Sequence, residues 1–196
     1  MRITKLFCLI LTALFMSGCV PIMSLHPLFL KKDFAFDARL LGDWRDHEEK
    51  PFCRFEKFED GYTLFFLNKD GEPVNKYRAH LAPLQGWLFL DILLEDVVPA
   101  NSLDRSFPLF LVPAHTFYQI KIEGESLEYR FLDDDWIETL RKQNKLKLPH
   151  ARVDDLTVLT APTEKLQKFV LKNLGTKDAF SSFEEGRLHR QAPPAK

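Results

Sequence analysis

The chain is poor in the residues that announce a reaction. It has three cysteines in 196 residues, and no Cys-x-x-Cys pair. Six histidines, at 26, 47, 80, 115, 150 and 189, stand singly, with no two at the i, i+4 spacing of a helical zinc site. A metal centre or other cofactor is therefore not expected. The sequence contains no Gly-x-Ser-x-Gly elbow, no phosphate-cradling glycine loop and no dinucleotide fingerprint. It also lacks a strong charge of either sign, with 27 Lys and Arg against 28 Asp and Glu. That balance gives no basic footprint for nucleic acid. Lys and Arg do cluster at Arg141, Lys142, Lys145 and Lys147, as at a solvated helix end. Hydrophobic content is 45% with 18 Phe, ample for one buried core and against disorder.

No apolar run reaches the roughly 20 residues of a membrane-spanning helix. The longest begins the chain: Arg2 and Lys5 precede the mostly apolar stretch from Leu6 to Met16, then Ser17 and Gly18 lead to Cys19. A cationic start, a short apolar stretch and a small-residue cleavage site make a secretory signal. With its final cysteine, Met16-Ser17-Gly18-Cys19 resembles the signal of bacterial lipoproteins. The resemblance implies removal of residues 1–18, lipid modification of Cys19 on sulfur, and acylation of its amine. Val20 stands where an aspartate marks inner-membrane retention in many such proteins, which implies the periplasmic face of the outer membrane. Cys8 would leave with the signal, and Cys53 would remain without a disulfide partner, between Phe52 and Phe55, as a buried thiol. Residues 1–18 carry two cations and no acid, so the remainder has a formal charge of −3.

Residues 19–27, marked by Pro21 and Pro27, read as a lipidated tether. One β-rich domain follows over 28–186, then a flexible tail over 187–196. Residues 34–41 allow a short helical turn capped by Asp37. The strand signal is clearest at 74–84 and 87–95, joined at Gln85-Gly86. A two-residue loop there gives one wholly apolar face: Tyr77, Ala79, Leu81, Leu88, Leu90, Ile92 and Leu94. The other face places Lys76 opposite Glu95 and His80 opposite Asp91. A one-residue slip would lose both charge matches and exchange the faces. The pair 115–123 and 126–132, around Gly124-Glu125, divides in the same way. Ile122/Leu127, Ile120/Tyr129 and Tyr118/Phe131 lie on one face, with Lys121/Glu128 and Gln119/Arg130 on the other.

Residues 52–58 and 62–68 suggest a third hairpin about Asp60-Gly61, and 41–46 and 155–160 are shorter strand candidates. The expected fold is mainly β: an antiparallel sheet or calycin-like barrel of about eight strands. Two helices support it, one opened by Asp133-Asp134-Asp135 and one over 162–174 between Pro162 and Gly175. A loop over 96–112 would cover an opening. Gly42-Asp43-Trp44 resembles the Gly-x-Trp motif of lipocalins and related calycins. In those families a late arginine packs over the tryptophan, a part for which Arg130 is the candidate. Ser24-Leu25-His26-Pro27-Leu28, Leu41-Gly42-Asp43-Trp44, Phe89-Leu90-Asp91 and Leu159-Thr160-Ala161-Pro162-Thr163 also resemble small bacterial lipoproteins of unassigned function.

Two functional readings follow. One is a membrane-anchored binding or scaffold module, holding a small apolar ligand or supporting an envelope protein. It expects a cavity lined by residues such as Tyr77, Leu90, Ile120 and Tyr129. The other is an envelope hydrolase using His80 and Asp91 as a base pair, which needs both to face one pocket with a hydroxyl or a water site. His115, read as lying near Asp133 or Asp134, raises the same question. Trp87, Phe89 and Asp135-Trp136 are either aromatic contacts for a partner or surfaces covered by the helices.

Overall fold

A computed structural model describes residues 21–97, 113–154 and 156–191. The elements in order are β1 (Met23–Ser24), β2 (Gly42–Arg45), β3 (Pro51–Phe58), β4 (Gly61–Leu67), β5 (Pro73–Leu84), β6 (Trp87–Val97), β7 (His115–Glu123), β8 (Ser126–Phe131), α1 (Asp134–Lys142), β9 (His150–Val153), β10 (Leu156–Leu159), α2 (Thr163–Asn173) and β11 (Arg187–Arg190). Both helices begin where the sequence signals them. The Asp133 side chain accepts from the Trp136 N–H, and Pro162 is the N-cap of α2. The Asp37 side chain likewise caps a single helical turn at Ala38–Leu40.

Eight strands close into an antiparallel barrel in the circular order β2-β3-β4-β5-β6-β7-β8-β11. The β5–β6 register holds His80 opposite Asp91, and β7–β8 pairs Ile120 with Tyr129 and Gln119 with Arg130. The apolar faces of both hairpins turn inward. One detail differs from expectation. A bulge between Lys76 and Tyr77 sets Lys76 opposite Asp96, yet its ammonium still reaches Glu95 at 3.2 Å. The β3–β4 loop is also displaced by one residue, to Glu59-Asp60, with Phe58 paired to Gly61.

The strand that completes the barrel is not the expected one. Leu156–Leu159 lies outside the ring, in a side sheet with β9 and β1. The eighth barrel strand is β11, from the segment read as a flexible tail, and it pairs with β8 on one side and β2 on the other. Four residues are too few for a periodicity to declare itself, and cationic Arg187 and Arg190 disguise a strand whose Leu188 is buried. The tether reading of residues 19–27 is corrected too, because Ile22 and Ser24 are buried and β1 is paired from Met23 onward. Of the expected 96–112 loop, Asp96 and Val97 extend β6, and residues 98–112 lie outside those described.

Burial divides into an inner and an outer core. The inner one fills the barrel around Trp44, Phe55, Tyr62, Leu64, Leu90 and Ile120. The outer one joins α1, α2 and the chain around Leu28 and Phe29 to the outward side chains Ala82, Phe89 and Phe117. Of the aromatic contacts considered, Phe89 and Trp136 are covered by this outer layer, whereas Trp87 is 45% exposed.

One end of the barrel is stoppered by residues 37–41. Trp44 is fully buried and its Nε1–H donates to the Leu40 carbonyl at 2.9 Å. The arginine over its ring is Arg190, 4.6 Å from the centroid, not Arg130. Arg190 also donates to the Leu41 and Arg39 carbonyls. Arg130 lies elsewhere, bonded to Gln119 and set against Phe180 and Phe183. Gly42 adopts φ +109, and a Cβ there would press the Arg190 guanidinium at 3.4 Å.

At the entry to β11, Gly186 lies so close to β8 that a Cβ would meet the Tyr129 carbonyl oxygen at 2.0 Å. Backbone cannot yield as a flexible side chain does. Gly186→Ala is expected to cost roughly 1–3 kcal/mol, seen as a lower urea midpoint with little change in slope.

Candidate functional site

Two places gather the side chains that could act: the barrel lumen and a pocket on its outer wall. The lumen retains a cavity of about 130 Å³, with Leu90, Ile120 and Tyr129 in its wall, as expected. Tyr77 stands beside it, edge-on to Phe66 at 5.2 Å between centroids. Further rings continue this arrangement. Phe66 meets Phe52 at 5.6 Å, Phe52 meets Tyr129 at 6.2 Å, and Tyr118 meets both Tyr129 and Phe131 at just under 6 Å.

Among the described residues no carboxylate, ammonium, guanidinium or imidazole lines this cavity. Burial raises the Tyr118 phenol to about 12 and moves Tyr129 in the same direction. The buried Cys53 thiol is pushed upward as well, chiefly by desolvation, so it stays protonated and a poor nucleophile. A lumen of this kind can exclude water and hold an apolar group. It has no group able to move a proton near neutral pH.

The outer pocket, of about 240 Å³, includes Phe29, Phe34, His80, Asp91, Leu93 and His115 in its wall. Because Asp91 and His80 oppose each other on β5 and β6, both point away from the lumen. Asp91 nevertheless is not a surface group: only 4% of it is exposed, beneath the chain at Leu28 and Phe29. Its Oδ2 accepts the Leu28 N–H at 2.6 Å, and its Oδ1 lies 2.6 Å from His115 Nδ1. An acceptor on that side makes Nδ1 the protonated nitrogen. Asp91 therefore partners His115 in place of His80, and His115 faces Leu93 and Ser24 across its strands rather than Asp133 or Asp134. His80 instead stacks on Phe34, with centroids 3.9 Å apart, and its Nε2 is 3.9 Å from Asp60.

Further bonds hold the same chain segment in place. Thr163 Oγ1 donates to the Pro27 carbonyl at 2.7 Å and Gln167 Nε2 to the Leu28 carbonyl at 2.9 Å. Leu25 N–H donates to Leu159 O at 2.9 Å. The segments around Leu28, Asp91 and Thr163 thus meet here. None of the pocket-lining residues carries a hydroxyl, and that of Ser24, opposite His115 on β1, is donated to the His26 carbonyl at 2.8 Å. Sequence reasoning misses these partners of Asp91 because a backbone N–H donor leaves no trace in sequence, and because the hairpin pattern matches β7 only with β8.

Comparison with protein-family models, curated proteins and solved structures finds no match. Among the described residues no group of three or more His, Cys, Asp or Glu could hold a metal ion. No described helix is long and apolar enough to cross a membrane, which leaves strand-built spans unaddressed. Cys19 lies outside the described residues.

Two outcomes follow from the outer pocket. Asp91→Ala strands the Leu28 N–H and the His115 Nδ1–H together, and is expected to cost about 3–5 kcal/mol in urea unfolding. Asp91→Asn, which keeps one acceptor, should cost less. Burial, the largest influence on His80, lowers its pKa below the ordinary histidine value, with Asp60 and Asp91 opposing. As pH falls the unfolded chain binds this proton first, so stability declines from about pH 6.5 toward the lowered folded value. His80→Gln should lose that part of the pH slope, measured as the difference in urea midpoint between about pH 7.5 and about pH 5.

Proposed function

We propose that the chain is a lipid-anchored cell-envelope protein, attached through Cys19, whose barrel binds a small apolar ligand. The observation that carries this reading is the uncharged, ring-lined lumen cavity of about 130 Å³. A dry cavity of about 150 Å³ lined by Leu, Ile and Phe is large enough to take benzene. An eight-stranded barrel is just wide enough to be filled by side chains or to hold one small ligand. The ligand class is thus a ring-sized apolar molecule, well below the 300 Å³ or so of a typical drug-sized pocket. The lipocalin-like pairing of a buried Trp44 with Arg190 at the stoppered end supports the same assignment. On the anchor side, the support is the run from Arg2 to Cys19 and its likeness to lipoprotein signals. Two or three acyl chains, at about 0.8 kcal/mol per buried methylene, give stable attachment. The implied address is the periplasmic face of the outer membrane, and a scaffold role toward an envelope protein remains compatible with a barrel whose cavity stays empty.

The alternative, a hydrolase, draws on His80 and Asp91 sharing the outer pocket. It is the weaker reading because the Asp91 carboxylate is already engaged by Leu28 and His115.

Native mass spectrometry of the full chain, produced in a bacterial host and released from its membranes, tests the proposal. The expected spectrum shows acyl mass on Cys19, absent from Cys19→Ser, and a retained small molecule. Ile120→Phe, which narrows the lumen, should lose that molecule and keep the acyl mass. An unmodified chain would overturn the anchor, and a ligand-free barrel that also fails to bind benzene or a similar ring would overturn the binding role.

A further inference from the structure

We infer that the tip of the β9–β10 hairpin is a membrane-contact surface, seated in the lipid headgroup layer beside the anchor. The inference rests on the proposed lipidation of Cys19 and adds which face of the domain meets the bilayer. Its starting point is a pair of aliphatic side chains that the fold leaves in solvent. Val153 and Leu156 oppose each other across the end of the hairpin, and are 56% and 42% exposed. Directly opposed residues of an antiparallel pair share one face, so the two form one apolar knob. The exposed Phe36 and Phe58 differ, since Lys57 and Arg78 lie over their rings.

The position of this knob relative to the anchor follows from strand register. β1 runs parallel to β10, with Met23 beside Val158 and Ser24 beside Leu159. Continued back by two residues, that register brings Pro21 alongside Leu156. The chain there has no slack: Pro21 bridges to Asp133, the Ile22 N–H donates to Leu132 O, and Ile22 is 2% exposed. Only Val20 separates Pro21 from Cys19. Two Cα steps span at most about 7 Å, and neighbouring strands lie about 4.8 Å apart. Chain length alone would therefore keep an acyl group attached at Cys19 tied within about 12 Å of the Leu156 backbone. Each headgroup layer is only about 5–8 Å thick, so a domain tied this closely rests on the bilayer, with the knob at its contact point.

Charge selects the kind of surface. Beside the knob Asp154 carries a carboxylate, and the guanidinium of Arg152 is paired with Glu138 at 3.0 Å, so this face offers little attraction for anionic lipid. The contact is apolar, fits a zwitterionic interface, and should be insensitive to salt.

The test places a fluorophore at the tip. Cys19 is blocked by lipid and Cys53 is buried, so an introduced cysteine is the reactive thiol of the mature protein. Val153→Cys and, independently, Leu156→Cys carry an environment-sensitive dye. Glu56→Cys on β3, diametrically across the barrel from β7, is the control. The lipidated full chain is reconstituted into phosphatidylcholine–phosphatidylethanolamine vesicles, with or without a headgroup-proximal nitroxide lipid. At least two-fold quenching at 153 and 156, unchanged by added salt, with little at 56, is expected. Equal, weak quenching at all three positions on a chain whose acyl mass is confirmed would overturn the contact and leave the anchor standing. Self-quenching at 153 that disappears on dilution with unlabelled protein would assign the knob to a second copy, and also overturn it. A chain without acyl mass removes the anchor and this inference together.

Discussion

Closure of the barrel depends on the insertion of β11 between β2 and β8. Without it both neighbours would present unpaired edges, and the lumen would open along its length. Four residues achieve this because the strand is held from both sides. Arg187 reaches Glu128, Leu188 enters the inner core, and Arg190 lies over Trp44 with Glu125 at 2.7 Å. Arg190 also ties the last strand to the stopper, through the carbonyls of Leu41 and Arg39. One cation thereby joins the closing seam, the buried tryptophan and the turn that plugs the barrel end. The backbone approach at Gly186 belongs to the same seam, since its carbonyl accepts from the Tyr129 N–H at 2.7 Å.

What is legible in the sequence is whatever repeats at the period of a strand. The hairpins 74–95 and 115–132 declare their registers because each has one apolar face and matched charges on the other, so a slip would damage both at once. The lumen residues Leu90, Ile120 and Tyr129 come with them. The caps of α1 and of the turn after Asp37 are legible because an aspartate before a helical segment has one common use. By contrast β11 is too short and too charged to show a period. Val158 and Leu159 suit a barrel strand as well as a side sheet, and nothing local says that their strand pairs with Met23 and Ser24 instead. Arg130 and Arg190 are both arginines of late strands, and only the ring closure decides which reaches Trp44. The candidate polar site is half legible. The juxtaposition of His80 and Asp91 follows from the hairpin, but the chain that buries Asp91 and the histidine that binds it come from remote parts of the sequence.

That burial changes what the polar cluster means. A carboxylate on the outward face of a barrel strand ordinarily faces water. Here it accepts a backbone N–H from a segment 63 residues away and an imidazole N–H from the adjacent strand. The charge serves as the fixed point onto which the chain before β2 is laid. Around it Phe29 contacts Phe89 at 6.2 Å between ring centroids, and Phe34 covers His80. Specificity of docking comes from the two directed bonds, and most of the favourable free energy from the apolar surface that surrounds them.

Strands β6 and β7 form the wall between the two cores, and alternation along them divides the chemistry of the protein. Leu90, Ile92, Tyr118 and Ile120 face inward, while Phe89, Asp91, Phe117 and Gln119 face the helices and the docked chain. His80, Asp91 and His115 thus stand on one side of a closed hydrogen-bonded wall, and the apolar cavity on the other. A guest in the lumen meets rings and aliphatic carbons, and cannot reach His115 without opening the β6–β7 ladder. The fold therefore keeps an apolar interior and a polar outer cluster apart. Of the two, only the lumen has a lining free of charged side chains among the described residues.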